Sequence, residues 1–379
     1  MARYDVIVVG LGAMGSAAAY QLARRGQRVL GLDAFPAGHT LGSSHGESRI
    51  IRMAYYEHAD YVPLLQRAYA LWASLQQEAQ LELMRLIGGV YLGPPDGELV
   101  SGSTHSARLH ALPHALLDAD EVRRRFPALA PRPDEVALYE ERAGVLFPER
   151  CIQAHLDLAR AAGATLRHAE PVEGWSAEPD EVWVATPQGR YTAGRLVLTA
   201  GAWLGKLLAS LGLPLQPERI PLFWFEPVGP ADQFTTGRLP VYMWEITADG
   251  VFFGIPHLEW PGSKVGRHHS GQVCDPDMVD REVHPDDEQR VRAFVERCLP
   301  GLAGPAALAR VCLYTNTPDH HFVIDRHPSL PNVVYAGGFS GHGFKFASVV
   351  GEILADLVTN GRATPAADFL KASRFASVR

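Results

Sequence analysis

The chain has 379 residues, which exceeds one ordinary domain and predicts two or three. Its content of 47% hydrophobic and 20% charged residues predicts a globular protein with a large core, and excludes disordered, collagen-like and coiled-coil chains. The formal net charge of −7 argues against a nucleic-acid-binding protein, although it is compatible with a local basic pocket for an anionic substrate.

The first 33 residues have the pattern of a dinucleotide-binding unit. Residues 4–9 are a β-branched run typical of a strand buried in a parallel sheet, residues 16–25 are predicted to be a helix, and residues 28–32 a second strand. Residues 10–15 read Gly-Leu-Gly-Ala-Met-Gly, which matches G-x-G-x-x-G, and Asp33 follows 18 residues after the last glycine. A strand–turn–helix–strand unit with these features predicts a dinucleotide site.

Each of these residues has a separate physical role in such a site. Gly10 allows the tight turn, Gly12 allows the backbone to approach a pyrophosphate, and Gly15 allows the helix to pack closely on the strand. The free N–H groups at the helix start then bind the phosphates. Asp33 is expected to accept hydrogen bonds from the adenosine ribose, which argues against a 2′-phosphate. The motif alone does not separate NAD from FAD.

Further elements are predicted along the whole chain, and no internal repeat is found. In chain order they are helices over 61–83 and 150–162, a strand over 195–203 that enters a helix over 204–211, antiparallel strands at 222–225 and 251–254, a charged helix over 285–298, a strand at 332–336, a glycine loop at 337–343 and a helix over 346–359.

This layout places nucleotide-binding segments at the start, middle and end of the chain. An NAD enzyme typically keeps its Rossmann domain in one block, so the layout favours FAD. We therefore predict an α/β fold with a discontinuous, glutathione-reductase-like FAD-binding domain formed by residues 1–84, 145–214 and 319–379. Residues 85–144 and 215–318 are predicted to form a substrate domain with a mixed or antiparallel sheet.

The cysteines and the apolar segments indicate the compartment. Four cysteines without a C-x-x-C pair exclude a disulfide scaffold and a zinc ribbon, and predict a reducing cytoplasm. Asp319, His320 and His321 lack a further ligand at suitable spacing, so no metal site is predicted. The apolar run that ends near Ala19 contains Asp5 and the glycine motif, and no other run is long enough to span a bilayer, so an untargeted protein without a membrane segment is expected.

Six segments spread over the chain carry a more specific pattern. They lie at residues 4–10, 42–52 (Gly-Ser-Ser-His-Gly-Glu-Ser-Arg-Ile-Ile-Arg), 61–64, 311–315 (Val-Cys-Leu-Tyr-Thr), 322–325 and 338–347 (Gly-Phe-Ser-Gly-His-Gly-Phe-Lys-Phe-Ala). These segments and their order resemble the monomeric sarcosine oxidase and N-methyltryptophan oxidase family, within the D-amino-acid-oxidase group of flavoproteins.

The resemblance implies how FAD is held. In the family, the cysteine of the segment that matches Cys312-Leu313-Tyr314-Thr315 is bonded through sulfur to the flavin 8α-methyl group, and the arginine that matches Arg49 lies against the flavin. Ser48 stands where family members commonly have threonine, so the hydroxyl is kept. The full set of expected cofactor-binding residues is Gly10, Gly12, Gly15, Asp33, Ser43, Ser48, Arg49, Cys312, Gly341, Gly343 and Lys345.

The resemblance also implies the catalytic residues, which are Arg49, Arg52, Lys345, His268 and Tyr314. By analogy with the family, Arg52 binds the substrate carboxylate, a task that suits a planar guanidinium. Lys345 is expected beside the flavin as the site of oxygen activation, and also as a contact to the carboxylate. His268, four residues after Lys264, is expected to shape the pocket and tune amine protonation, with His269 as the alternative. Tyr314 is expected to line the pocket.

The implied activity is oxidative demethylation of a secondary amino acid such as sarcosine, which yields the amino acid, formaldehyde and hydrogen peroxide. The expected partners are a small amino acid and O₂, and the expected state is a monomer. Phe253 stands where sarcosine oxidases usually have tyrosine, and Trp244 lies near a pocket-lining stretch, so N-methyltryptophan, cyclic imino acids and glycated amino acids remain alternatives. An FAD dehydrogenase with another acceptor, an NAD-dependent dehydrogenase and a non-catalytic dinucleotide sensor are the remaining alternatives.

Overall fold

The computed structural model describes residues 4–269, 271–363 and 365–375. The α-helices are α1 Ala13–Arg24, α2 Tyr61–Ala79, α3 Glu98–Leu109, α4 Ala119–Arg125, α5 Pro148–Ala161, α6 Leu204–Leu207, α7 Pro285–Cys298 and α8 Ala347–Asn360. The strands are β1 Tyr4–Val9, β2 Val29–Leu32, β3 Arg49–Ile51, β4 Met84–Leu86, β5 Gly89–Gly93, β6 Ala115–Asp118, β7 Val136–Glu140, β8 Gly144–Leu146, β9 Thr165–Arg167, β10 Gly174–Glu178, β11 Glu181–Thr186, β12 Gly189–Leu198, β13 Gln216–Phe225, β14 Val241–Ile246, β15 Gly250–Ile255, β16 Ser263–Arg267, β17 Gln272–Val273, β18 Ala306–Asn316, β19 Val323–Arg326 and β20 Val333–Gly337.

The first sheet forms the nucleotide-binding half of the molecule. Its parallel strands lie in the order β9-β2-β1-β12-β20, and β10, β11 and β19 extend it with antiparallel pairs. The last four residues of β1 are fully or almost fully buried, as expected for a β-branched strand covered on both faces. Helices α1, α5 and α8 pack together beside this sheet. The sheet therefore draws its strands from the start, middle and end of the chain, as predicted.

The second sheet is mixed. Its strands lie in the order β17-β13-β16-β15-β14-β5-β7-β6, with β18 beside β13, and the β5–β14 pair is parallel whereas the other pairs are antiparallel. A separate apolar core lies on this sheet and includes residues of α7. The predicted fold class is thus confirmed. We propose that residues 1–84, 145–214 and 319–379 form the FAD-binding domain and that residues 85–144 and 215–318 form the substrate domain. The strands of the first sheet come from the former segments, and those of the second sheet come from the latter.

A small third sheet, in the order β3-β8-β4, bears Arg49 at the start of β3. This strand of three residues was not predicted, because its alternation is too short to recognise. The helix predicted over residues 204–211 is wrong in part, since only α6 is α-helical and 3₁₀ turns flank it. In the described parts of the chain, no helix combines the length and apolar character needed to cross a membrane.

Candidate active site

One cavity of about 1060 Å³ brings the predicted site residues together. Its wall includes the glycine turn and Asp33, and it also includes residues of the second sheet. This volume lies at the upper end of the range for ligand pockets, so it suits a dinucleotide together with a small substrate. The cavity-lining members of the predicted set are Gly10, Gly12, Asp33, Ser43, Ser48, Arg49, Arg52, His268, Cys312, Tyr314, Gly341, Gly343 and Lys345.

The glycine turn leaves no room for side chains. Gly10 has a φ of +86°, in the left-handed region that favours glycine. A Cβ on Gly15 would lie 1.7 Å from the Gly10 carbonyl oxygen, so close packing of α1 on β1 requires a glycine there. Helix α1 starts after Gly12, and the Ala13 N–H donates to Ser44 Oγ at 3.2 Å. The helix start thus faces the cavity with its positive dipole end, where phosphates bind.

Asp33 lies beside this turn at the end of β2. Its carboxylate accepts hydrogen bonds from the backbone N–H groups of Leu11 at 2.7 Å and Phe35 at 3.0 Å. These two contacts fix the carboxylate at the cavity wall, where it can also accept from a ribose hydroxyl. Ser44, which contacts the helix start, was not singled out from the sequence, because only the tertiary fold brings residue 44 to residue 13.

Replacing Gly15 with alanine is expected to lower the free energy of unfolding by at least ~2 kcal/mol and to reduce the bound FAD per chain. The reason is that the added methyl group must push α1 away from β1. Thermal unfolding and the flavin absorbance of the purified protein measure the two effects. Gly174→Ala is the matched control, because no atom lies within 4 Å of a Cβ at that position, and its unfolding should change by no more than about 0.5 kcal/mol. Equal behaviour of the two variants would contradict the assignment of the turn.

Arg49 and Cys312 meet at one side of the cavity. The Arg49 guanidinium donates to the carbonyl oxygens of Ser48 at 2.8 Å and Ser43 at 3.0 Å, and also to that of His45. One of its nitrogens lies 3.4 Å from the Cys312 sulfur, which is only 2% exposed. A guanidinium thus lies beside the sulfur in the cavity wall. This arrangement suits a cysteine that attacks an electrophilic carbon.

Lys264 is a second buried lysine near this corner, and its sequence position alone did not predict a function for it. Its Nζ donates to the carbonyl oxygens of Gly46 at 2.7 Å and Ser48 at 2.9 Å. Burial and then the charge of Arg49 lower the pKa of Lys264 to about 7. A lysine that is buried in a strand and lines the cavity is a candidate functional residue in its own right.

Arg52 is fully buried and is paired with a carboxylate. One of its nitrogens lies 2.5 Å and 2.7 Å from the two oxygens of Glu57, and the guanidinium lies over the ring of Tyr55 at 4.2 Å. Burial alone would lower the pKa of Arg52, but the Glu57 carboxylate raises it above the usual value. Glu57 therefore already engages one nitrogen of the Arg52 guanidinium at the cavity wall.

Lys345 lies beside Arg52 at the start of α8. Its Nζ donates to the His342 carbonyl oxygen at 2.7 Å, and its own carbonyl oxygen accepts from Trp72 Nε1 at 2.8 Å. Burial and then the charge of Arg52 lower the pKa of Lys345 to about 7. Gly341, with a φ of +79°, belongs to the same loop, and a Cβ there would clash with the ring of Tyr314. Lys345 from this loop and Arg52 from the segment after β3 thus both contribute to the cavity wall.

The structure distinguishes between the two candidate histidines. His268 lies in the cavity wall, and its Nδ1 is 3.3 Å from the Tyr314 hydroxyl oxygen. His269 has a φ of 59° and points toward Glu218, with Nδ1 3.5 Å from Oε2. Of the two histidines, His268 is therefore the one that lines the cavity.

The expectation that Trp244 modifies the pocket is wrong. Trp244 is fully buried in the core of the second sheet, where its Nε1 donates to Glu135 Oε1 at 3.2 Å. Because side chains alternate along β14, its neighbour Met243 reaches the cavity instead. Phe253 does line the cavity, so that part of the expectation is confirmed.

The site and fold together define a class of protein. A glycine turn, a helix start and Asp33 form a dinucleotide cradle, and the same cavity contains buried cations and a thiol that no nicotinamide site requires. The cavity wall fits FAD, since the glycine turn leaves its backbone open to a pyrophosphate and the same cavity continues from the turn to residues of the second sheet. The class is a flavin-dependent oxidoreductase.

Comparisons with known proteins specify the family. A family model described as FAD dependent oxidoreductase matches residues 5–357. The monomeric sarcosine oxidase of Streptomyces avermitilis is 49% identical over 362 residues, which cover 94% of each chain. The N-methyl-L-tryptophan oxidase of Escherichia coli is 35% identical over 358 residues, which cover 93% of this chain and 94% of that one. The solved structure of NikD, an unusual amino acid oxidase essential for nikkomycin biosynthesis, has a TM-score of 0.85 and 26% identity, and 98% of both chains is covered.

The chain belongs to the family of FAD-dependent oxidoreductases that includes the monomeric sarcosine oxidases. The resemblance seen in the sequence and the choice of FAD over NAD are therefore confirmed.

Proposed function

We propose that the protein is an FAD-dependent oxidase of secondary N-methyl amino acids, of the sarcosine type. One observation carries this proposal: a cavity continuous with the dinucleotide cradle contains two adjacent buried cations, Arg52 and Lys345, together with His268. Adjacent cations suit a small carboxylate, and a histidine suits an amine whose proton must be removed. The names of the relatives support the same substrate class.

Each residue of the cavity has a separate role in the proposed reaction, which follows from its position. Arg52 and Lys345 hold the substrate carboxylate, which fixes the amine and its methyl group relative to the flavin. Burial, with a further contribution from His269, lowers the pKa of His268 well below the usual value, so the imidazole is neutral and can accept a proton. Tyr314 orients this imidazole through its contact to Nδ1. The bound FAD supplies hydride acceptance and the subsequent reduction of O₂ to hydrogen peroxide.

The proposal includes a covalent bond between Cys312 and the flavin 8α-methyl group. Support comes from the burial of the sulfur in the cavity wall and from its contact with Arg49. Replacing Cys312 with serine is expected to convert protein-bound flavin into flavin that acid releases, since the thioether can no longer form. The absorbance at about 450 nm of the acid-precipitated pellet and of the supernatant measures this. The matched control is Cys151→Ser, a buried cysteine of α5 outside the cavity, which should keep its flavin in the pellet. Wild-type flavin in the supernatant would contradict the bond while leaving the oxidase proposal intact.

The activity is tested by measuring hydrogen peroxide and formaldehyde with sarcosine, N-methyltryptophan, proline and a glycated amino acid as substrates. We expect stoichiometric peroxide and formaldehyde from sarcosine or another N-methyl amino acid. Flavin reduction without peroxide would identify a dehydrogenase with another acceptor. No flavin reduction by any of the four would contradict the proposal.

Phe253 favours one alternative substrate class. Its apolar ring lines the cavity where relatives usually have a tyrosine, so the pocket offers one fewer hydroxyl and suits a larger apolar amine substituent. The substrate panel above decides between these classes. A monomeric state and a cytoplasmic location remain part of the proposal, and size-exclusion chromatography tests the first.

A further inference from the structure

Three histidine rings connect the active-site cavity with the protein surface. The ring centroids of His268 and His269 are 4.1 Å apart, and those of His269 and His320 are 4.5 Å apart. Exposure increases along this series, from 8% for His268, through 29% for the side chain of His269, to an exposed His320. We call these three residues the histidine stack. Because only its first member lines the cavity, the stack leads away from the substrate toward solvent.

The backbone holds the outer two rings in place at a conformational cost. His269 has a φ of 59° and His320 a φ of 57°, so both occupy the left-handed region that non-glycine residues rarely adopt. Such strain persists only where the surrounding structure enforces it, and it is concentrated at functional sites. The two strained residues lie on different loops, one after β16 and one after β18, and yet their rings meet.

A buried carboxylate accompanies the middle ring. Glu218 Oε2 lies 3.5 Å from His269 Nδ1, and the same carboxylate accepts from Asn316 Nδ2 at 2.5 Å and from the backbone N–H of Gly271. Although burial alone would raise the pKa of Glu218, these contacts lower it, so the carboxylate is charged. A buried carboxylate therefore lies beside the ring of His269.

The chemistry of the proposed reaction requires a path for one proton. A secondary amino acid carries a protonated amine at neutral pH, and hydride loss from its methyl carbon requires the nitrogen lone pair. One N–H bond must therefore break before the C–H bond does. The electron pair left on nitrogen then forms the C=N bond as the hydride leaves for FAD, and the proton must pass from the buried His268 side of the cavity to water.

Resting on the proposed function, we propose that the histidine stack carries the substrate's amine proton from the cavity to solvent. The proton passes from the amine to His268, then to His269, and from there through His320 to bulk water. Reduction of O₂ to hydrogen peroxide takes up one proton from water, which replaces the proton that the amine released. No further reactant is therefore needed. His269 and His320 thereby acquire roles as relay residues that do not touch the substrate.

The charges around the stack favour outward transfer. Burial, then the neighbouring His269, and then His342, Arg52 and Lys345 all lower the pKa of His268, so this ring does not keep a proton. Beyond it, the Glu218 carboxylate lies beside the ring of His269. The cavity end of the stack is therefore surrounded by positive groups, whereas its middle lies against a carboxylate.

Asp319 and Glu218 act on the outer ring, His320, and both favour its protonated form, whereas burial and His269 oppose it. Because burial dominates, the pKa of His320 is below the usual value, and a proton that reaches this ring is released readily to water. The two end members of the stack, His268 and His320, thus release a proton readily.

The test compares His269→Asn and His320→Asn with wild type, since asparagine tolerates the left-handed backbone better than most residues. His321→Asn is the matched control, because His321 lies in the same loop but its ring faces Tyr61 instead of the stack. Anaerobic stopped-flow mixing with the N-methyl amino acid found active above follows two signals. Flavin absorbance reports reduction, and a pH indicator in weak buffer reports proton release.

We expect wild type and His321→Asn to release one proton together with flavin reduction, at a rate that does not depend on buffer concentration. In His269→Asn and His320→Asn, reduction and proton release should slow by ~10-fold or more, and added imidazole should restore them. Buffer-independent rates within twofold of wild type in both variants would overturn the proposal, and so would a slow rate that imidazole does not restore. Failure of every secondary amine to reduce wild-type flavin would instead overturn the proposed function.

Discussion

Replacing Arg52 with methionine is expected to weaken binding of the substrate carboxylate by ~100-fold or more, while FAD stays bound. The guanidinium is fully buried, and Lys345 next to it holds a single charge that cannot form the planar, two-point contact. Titration with a non-oxidisable carboxylate analogue of the substrate, followed by the flavin spectrum, measures the dissociation constant. Steady-state kinetics should show the same loss in kcat/KM.

Glu57→Gln is the control variant, and its expected effect on binding of the analogue is opposite to that of Arg52→Met. The Glu57 carboxylate occupies Arg52 in this structure, so Glu57→Gln should remove a competitor and tighten binding of the same analogue. The double variant Arg52→Met/Glu57→Gln avoids an unpaired buried charge, which would otherwise cost about 3–5 kcal/mol of stability. If the double variant binds the analogue as well as wild type does, Arg52 is not the carboxylate site.

The dinucleotide cradle could be predicted from the sequence because its parts are local. Gly10, Gly15 and Asp33 lie within one strand–turn–helix–strand unit, and each position has a steric or hydrogen-bonding requirement that few residue types meet. The overall α/β class followed from the same kind of local pattern, repeated at residues 195–203 and 332–343.

The substrate side of the site could not be derived in this way. Arg49 and Cys312 are 263 positions apart, and their contact depends on the pairing of β18 with β13. The composition and the residue spacing do not reveal how β18 pairs with β13. Only the resemblance to a family therefore predicted that Arg49 and Cys312 belong to one site. Lys264 was overlooked for the same reason, since a lysine in a short strand has no visible function until its burial is known.

Residue alternation explains why Trp244 was misassigned. A strand presents successive side chains to opposite faces, so either Met243 or Trp244 had to face the cavity. Which one does so depends on the strands that pair with β14. One of them, β15, follows β14 directly in the chain, whereas the other, β5, lies far earlier. The packing of Trp244 against Phe294 of α7 settles the orientation, and no local signal predicts that contact.

Replacing Lys345 with methionine is expected to slow the reaction of the reduced enzyme with O₂ by ~100-fold or more. The first electron transferred to O₂ creates a negative charge in a closed cavity, and a fixed ammonium group stabilises it. Flavin reduction by substrate should change less, because Arg52 still holds the carboxylate. Anaerobic reduction followed by mixing with oxygenated buffer separates the two rates.

Lys264 makes this experiment decisive, because it is an equally buried lysine of the same cavity wall. Burial, and then the charge of a nearby arginine (Arg49 for Lys264, Arg52 for Lys345), lower the pKa of both lysines to about 7. Methionine at either position therefore removes one cation of similar environment. If Lys264→Met loses the reaction with O₂ and Lys345→Met loses substrate affinity instead, oxygen activation belongs to Lys264, and Lys345 serves the carboxylate together with Arg52. Equal and small effects in both variants would mean that no single lysine charge controls the reduction of O₂.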